Sequence, residues 1–206
     1  MGVYRQRLRR TSDRHQWEKD RALLPEHERR TTGATERDTG LTRDDLEFQI
    51  TFATEPAGAD LARRFGVARG TLLLRRAYRT RRRGDTAPLS LITSRLPYDL
   101  VAGNPDLLRP ENEPWPGGTH HQLSTIGVEI DRVVDEVTVR RPRRDEAKVF
   151  GLRPGTPVLV VRKTSIDTTC RVVEVAEIVL PGDRTELVST TRLHRWPPSA
   201  RNMTRG

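Results

Sequence analysis

Alternation of hydrophobic and polar residues is the clearest local pattern along this chain. Residues 46–52, Leu-Glu-Phe-Gln-Ile-Thr-Phe, alternate with a period of two, which is typical of a strand with one buried face. Other aliphatic stretches bounded by turn residues predict six further strands, at 71–81, 87–96, 128–141, 158–167, 171–180 and 187–191. Short helices are predicted at 60–65, 99–104, 120–126 and 145–150.

The order of these elements predicts the fold class. Most consecutive strands are joined by links short enough for hairpins, which favours an antiparallel sheet. The helices are then expected on one side of that sheet, so the prediction is an α+β fold.

One segment of the chain occurs twice. Residues 60–74 and 145–159 are identical at seven of fifteen positions, including the two glycines of each copy. Each copy predicts a short helix, a glycine-marked turn and a strand, and the returning strand of each ends in Leu-Pro. We therefore expect one domain built of two related helix–hairpin halves, with a cleft where the halves meet.

The two ends of the chain differ from this core. Residues 1–45 are highly charged, and the sequence predicts an irregular, largely mobile arm with one helical turn around 17–21. The folded domain is expected at 46–196, and a disordered tail at 197–206.

Composition limits the possible partners. The chain has 206 residues and a formal net charge of +9, and nearly all of its basic residues are arginine. This excess is typical of a GC-rich gene as well as of a nucleic-acid-binding protein. Cys170 is the only cysteine, so no disulfide or cysteine zinc site forms within one chain. No stretch has the length of a membrane span or the character of a secretory leader, which fits a cytoplasmic protein.

The combination of motifs resembles a known family. The segments are Gly66-Val-Ala-Arg-Gly70, Asp135-Glu-Val137 and Phe150-Gly-Leu-Arg-Pro-Gly-Thr-Pro-Val-Leu159, followed by the second hairpin and Leu180-Pro-Gly-Asp-Arg184. They resemble the UTRA domain, the effector-binding module of the HutC branch of GntR-type transcription regulators. The resemblance implies a chorismate-lyase-like fold, a small metabolite bound between the halves, and a homodimer that presents winged-helix heads to operator DNA.

The chain departs from this family at its N-terminus. Only 45 mostly polar residues precede Leu46, and the stretch Tyr4–Asp20 resembles the linker that follows a winged-helix head. We expect the head to be absent from this chain: either the chain is truncated, or the gene start is misplaced, or the protein works without a head.

The first hairpin strand supplies three candidate effector-binding residues. Arg76, Tyr78 and Thr80 share one face, because side chains two residues apart project to the same side of a strand. In phosphosugar-binding relatives this strand carries phosphate-binding arginines, at the places that fall on Tyr78 and Thr80 here. A shift of one residue would place Arg79 or Arg81 there instead. As aligned, the resemblance favours a neutral polar ligand over a phosphate.

Four further residues complete the predicted site. The return strand carries Thr93 and Arg95 on one face, and Ser90, Ile92 and Ser94 on the other; we assign the former pair to the site. His120 is expected to border the pocket, as the matching region of relatives does. Glu174 matches a carboxylate common in relatives, and would be neutralised by Arg162 or Arg76 if buried.

Two other functions stay open at this point. The lyase-like scaffold suggests an enzyme acting on an aromatic acid, and nine arginines within 63–83 suggest contacts to nucleic acid. However, alternation separates Arg75 from Arg76, and the sequence has no GxSxG, P-loop or GxGxxG motif. The favoured interpretation is a ligand-sensing module without enzymatic activity, cofactor or metal. Adjacent histidines on a helix, such as His120 and His121, seldom bind one metal.

Overall fold

The structure is a computed structural model that describes residues 7–193. None of the helices in this range is long and apolar enough to cross a membrane. The predicted disordered tail lies outside the described residues. The strands are β1 Leu8–Thr11, β2 Leu46–Pro56, β3 Leu72–Arg82, β4 Ser90–Pro97, β5 Ile130–Arg140, β6 Val158–Asp167, β7 Val172–Pro181 and β8 Thr185–Val188. The helices are α1 Arg14–Arg21, α2 Glu26–Thr31, α3 Ala34–Thr39, α4 Ala59–Phe65, α5 Tyr98–Val101, α6 Gly118–Ser124 and α7 Arg144–Phe150, with short 3-10 turns at Arg43–Asp45, Pro105–Leu108 and Pro110–Asn112.

Six strands form one antiparallel sheet in the order β2-β3-β4-β7-β6-β5. Each half of this sheet is a strand, a helix and a hairpin: β2-α4-β3-β4 in the first half and β5-α7-β6-β7 in the second. The last strand of each half lies at the centre, where β4 pairs with β7. The predicted α+β class and its two related halves are confirmed.

The repeated segments have the same local structure. Helix α4 ends at Gly66 and helix α7 ends at Gly151, and both glycines adopt the left-handed conformation, which favours glycine because it has no side chain. In each copy the backbone N–H of the next residue then reaches back to the helix, Val67 to Ala62 and Leu152 to Ala147, at 3.0 Å in both. The similarity of the two sequence segments therefore reflects one structural unit used twice.

Helices cover both faces of the sheet. Phe65 of α4 packs with Leu73 and Val175, and Phe150 of α7 packs with Val160 and Val179, so α4 and α7 share one face, which we call the back. On the opposite, front face, a second apolar cluster joins α5 and α6 to the sheet through Leu74, Leu96, Val101, Leu123 and Val173. The helices are thus divided between the two faces, and the expectation that they lie on one side of the sheet is correct only for the repeated helices α4 and α7.

The N-terminal arm is more ordered than its charge suggests. The expectation of an irregular segment with a single helical turn is wrong for the described residues, which form β1 and the three helices α1–α3. Leu8 of β1 is buried with Leu46, Leu89 and Ile178 of the front face. A few apolar contacts and many ion pairs hold this segment in place, a combination that hydropathy alone does not reveal.

The strand predicted at 187–191 is also placed differently. The observed strand β8 does not close the main sheet; it pairs in parallel with β1, with Leu8 opposite Thr185 and Thr11 opposite Val188. The arm and the end of the domain are therefore joined through a separate two-stranded sheet.

Truncation of Phe150 tests the packing of the second repeat. Its side chain is fully buried beneath α7, so Phe150→Ala should lower the free energy of unfolding by about 3–5 kcal/mol in urea denaturation. Val139→Ala, on an exposed position of β5, should change it by less than about 0.5 kcal/mol. Equal effects of the two substitutions would contradict this placement of α7.

Candidate functional site

A cavity of about 170 Å³ lies on the front face, where the two halves of the sheet meet. Its floor comes from strands of both halves, and its walls come from α6 and the loop that carries Glu113 and Trp115. The arm forms its roof. The floor residues are Phe48, Tyr78, Thr80, Ile92, Ser94, Lys163, Glu174, Ala176 and Ile178.

A buried polar cluster surrounds this floor. Arg76 is only 1% exposed, and its Nη1 donates to Gln122 Oε1 at 2.6 Å, while its Nη2 lies 3.5 Å from Glu174 Oε1. The hydroxyl of Tyr78 donates to Glu113 Oε1 at 2.9 Å, and Gln122 Nε2 donates to the same oxygen at 2.7 Å. These bonds fix the floor, helix α6 and the loop wall relative to one another.

Glu174 is the buried carboxylate at the centre of the cluster. Ser94 Oγ donates to its Oε1 at 2.6 Å, and Ser165 Oγ donates to its Oε2 at 3.1 Å. The same Oε2 lies 2.8 Å from Lys163 Nζ. Burial alone would raise its pKa, but Lys163, Arg76 and these hydrogen bonds lower the pKa to about 2. Glu174 is therefore a fixed anion at neutral pH.

An irregularity in β7 puts Glu174 on the front face. Val172 pairs with Ile166, whereas Glu174 pairs with Ser165, so Val173 is an extra residue in β7. Such a bulge changes which side the following residues face. Val172 packs with the back cluster, while Val173 packs with the front cluster beside Glu174.

The arm covers the cavity with charged side chains. Arg10, Arg14, Glu18 and Arg21 line it from above, together with residues 33–36. Arg14 pairs with Asp38 of α3 and lies 3.4 Å from Glu18. The arm is in turn anchored to the second half of the domain by Lys19, whose Nζ contacts Glu129 at 2.6 Å and donates to the carbonyl of Ile130 at 2.8 Å.

Four of the seven predicted site residues come together in this region. Tyr78, Thr80 and Glu174 line the cavity, and Arg76 lies directly behind Glu174 and Ser94. The sequence left open whether Arg76 or Arg162 neutralises Glu174. The structure shows that Arg76 does so, together with Lys163. Arg162, the other candidate, is opposite Glu177 on the back face.

Thr93 and Arg95 do not line the cavity, which corrects their assignment. The register places Arg76 opposite Ser94 and Tyr78 opposite Ile92, so these pairs share the front face and the intervening residues face the back. Arg95 Nε donates to Glu55 Oε1 at 2.5 Å there. The sequence of a strand shows which residues share a face. It does not show the register with the neighbouring strands, which determines which of the two faces lines the cavity.

His120 lies on α6 and is not among the residues that line the cavity, although its neighbours Thr119 and Gln122 are. Burial lowers its pKa to about 4, so the imidazole is neutral near pH 7. The adjacent His121 points elsewhere, and its Nδ1 accepts a hydrogen bond from Trp115 Nε1 at 2.8 Å. Within residues 7–193 no group of three His, Cys, Asp or Glu residues could hold a metal ion.

The arginine-rich stretch is not one patch. Arg75 and Arg76 face opposite sides, as the alternation predicts, and Arg81 lies 2.5 Å from Glu47 on the neighbouring strand. Arg64 on α4 lies 2.9 Å from Glu136 of β5. The structure therefore distributes these cations among ion pairs on different surfaces.

A second, more open hollow of about 500 Å³ lies between α2 and the loop at 106–116. Its lining is dominated by charged residues of these two segments, and the sheet does not contribute to it. The cavity on the front face is the candidate site because both related halves contribute to its floor.

Residues 49–186 match the sequence model of the UTRA domain. The chain belongs to the UTRA domain family. No curated protein matches its sequence.

Solved structures of the same fold include GntR-family regulators and the ligand-binding domain of one such regulator. A GntR-family transcriptional regulator is 26% identical, with a TM-score of 0.63 over 78% of this chain and 64% of that chain. PhnF from Mycobacterium smegmatis is 19% identical, with a TM-score of 0.68 over 93% and 75% of the two chains. The ligand-binding domain of a GntR-family regulator from Bordetella bronchiseptica is 21% identical, with a TM-score of 0.56 over 68% and 84%. This UTRA chain thus has the chorismate-lyase-like fold that its resemblance to the family implied.

The stability of the domain at low pH tests the buried state of Glu174. Since its pKa in the folded state is about 2 and its ordinary value is 4.5, the resulting stabilisation is present above about pH 4.5 and is lost as the pH falls toward 2. Over this window, wild type should lose more free energy of unfolding than Glu174→Gln, by on the order of 3 kcal/mol. Urea unfolding at a series of pH values measures this difference.

Thr93→Val on the back face is the control for disturbing the central strands, and it should keep the pH dependence of wild type. The assignment of Glu174 as a buried, paired anion would be wrong if Glu174→Gln lost stability with the same pH profile as wild type.

Proposed function

We propose that this UTRA chain is the small-molecule effector-sensing part of a GntR/HutC-type transcription regulator, and that the effector binds in the front-face cavity. The observation that carries this proposal is the cavity between the two halves, with a floor of preorganised polar groups. Tyr78, Ser94 and Glu174 are held in place by hydrogen bonds before any ligand arrives. Preorganisation of this kind reduces the entropy that binding costs.

The size of the cavity limits the effector to a small metabolite. Cavities of about 150 Å³ accept a molecule with the bulk of benzene, so about 170 Å³ has room for a compact molecule and not for a nucleotide. The role proposed for these groups is recognition and not catalysis. Arg76, Tyr78, Thr80 and Glu174 are the proposed effector-binding residues on the floor, with Arg76 acting through its contacts to Ser94 and Gln122.

The proposed output is a change in how a cytoplasmic homodimer presents DNA-binding heads to an operator. The arm contacts the cavity directly, so a ligand that fills the cavity touches the segment on which a head would be carried. The free outer edge of β5 supports contact between two copies, because Val134, Val137 and Val139 there are 45%, 46% and 65% exposed. Control of DNA binding then follows from a ligand-dependent arrangement of the two arms.

A blocked cavity tests the proposed effector site. Ala176 lies on the floor and is nearly fully buried, so Ala176→Leu places three additional carbon atoms in the cavity. In a thermal-shift screen of small metabolites, ligands that raise the Tm of wild type should lose most of that effect in Ala176→Leu. Ala77→Leu makes the same change on the back face and should retain it. Absence of any shift in wild type, or equal loss in both variants, would refute the site.

Sedimentation velocity tests the proposed dimer. Val137→Lys puts a charge on the free edge of β5 and should weaken self-association by about tenfold or more. Leu23→Lys makes the same kind of change at an exposed apolar residue of the arm, away from β5, and should not weaken self-association. A wild-type chain that stays monomeric at all concentrations would contradict the dimer.

A further inference from the structure

Arg10 is a buried cation in the roof of the cavity, and its guanidinium lacks a carboxylate at hydrogen-bond distance among the described residues. It is only 6% exposed, and the one carboxylate oxygen near its guanidinium is Asp135 Oδ2, at 3.8 Å. Among the described residues, no side chain or backbone group forms a hydrogen bond with this guanidinium. A buried arginine normally has a paired anion and several acceptors, because removing a charge from water is costly.

The neighbouring charged groups are already paired with one another. Arg14 is neutralised by Asp38 and Glu18, and Lys163 by Glu174. Asp135, the distant partner of Arg10, is itself bonded to His15 Nε2 at 2.9 Å. Burial and repulsion from Arg14 lower the pKa of Arg10 to about 10, although the charges of Asp135, Asp38 and Glu18 act in the opposite direction.

A second polar group is available on the floor of the same cavity. Thr80 is almost fully buried, and its hydroxyl forms no side-chain hydrogen bond within residues 7–193. The guanidinium of Arg10 and the hydroxyl of Thr80 line the same cavity, and both can donate hydrogen bonds. Two such donors are suited to binding an oxyanion. The four carboxylates that line the cavity have other partners: Glu18 is paired with Arg14, Glu36 with Arg43 and Glu174 with Lys163, and Glu113 accepts hydrogen bonds from Tyr78 and Gln122.

We propose that the effector carries a carboxylate or phosphate group, and that Arg10 of the arm binds this group from above while the sheet holds the remainder of the molecule. This inference rests on the proposed effector site and adds the chemical class of its ligand. It also gives the arm a direct part in binding. Because Arg10 is on β1, a bound anion strengthens the attachment of β1 to the domain, and by linkage an attached arm strengthens binding of the anion.

Matched pairs of small probes test the charge requirement. Acetate, benzoate and glycerol phosphate are compared with acetamide, benzamide and glycerol, and inorganic phosphate is included to distinguish a phosphate preference from a carboxylate preference. Isothermal titration with the full chain should show that one or more of the anions binds and that its neutral counterpart binds at least about tenfold more weakly.

Three variants assign the effect to Arg10. Arg10→Met should weaken binding of that anion about ten- to hundredfold, and Arg10→Lys, which keeps the charge, by less. Without ligand, Arg10→Met should raise the Tm by about 2–4 °C, because a poorly neutralised buried cation is removed. Arg9→Met alters the neighbouring arginine, which is 61% exposed, and should change neither property.

Hydrogen exchange gives a separate readout of the arm. The anion that binds should slow exchange of the backbone amides of β1 and α1 in wild type and not in Arg10→Met. If only neutral probes bind and Arg10→Met binds them normally, the anion inference is wrong while the effector site stands. If no probe and no metabolite of the wider screen binds, the effector site itself is refuted, and this inference with it.

Discussion

Arg76 and Glu174 come from different halves of the sheet and meet behind the cavity, with Ser94 of the central strand β4 between them. Ser94 Oγ donates to Glu174 at 2.6 Å and accepts from Arg76 Nη2 at 3.3 Å, so one hydroxyl joins the two charged groups. Loss of Glu174 would leave Arg76 with only Glu113, at 3.6 Å, as a buried carboxylate partner, and removal of one member of a buried ion pair typically costs about 3–5 kcal/mol. This bridge therefore adds a buried polar link between the halves where β4 pairs with β7, directly behind the cavity.

The surrounding contacts extend this bridge to the walls. Gln122 connects Arg76 to Glu113, and Glu113 in turn receives the hydroxyl of Tyr78 and the backbone N–H of Trp115 at 2.8 Å. A cavity built in this way has a rigid polar floor and loop wall, while its roof is held mainly by ion pairs of the arm. The roof and the floor are therefore held by separate sets of contacts.

The duplicated segment and the strand periodicities were sufficient to predict the two-half α+β architecture and a cleft where the halves meet. Local patterns could not give the pairing of the strands, and this is why Thr93 and Arg95 were assigned to the wrong face while Ser94 was missed. The bulge at Val173 is likewise a property of the paired strands and not of one strand alone. Lys163 could have been noticed in the sequence, because it is one of three lysines in an arginine-rich chain. Its role was not predictable, because it depends on the pairing of β6 with β7, which brings Lys163 next to Glu174.

The free edge of β5 has a consequence for the behaviour of this protein at high concentration. An uncovered edge strand with exposed valines is a template onto which strands of other molecules can add, and unlimited addition of this kind leads to aggregation. Charged residues interrupt the valines here, including Asp135 and Glu136 at the middle of the strand. Burying these carboxylates and their partners, His15 and Arg64, against another strand would remove charged groups from water, so the edge resists unlimited addition of strands.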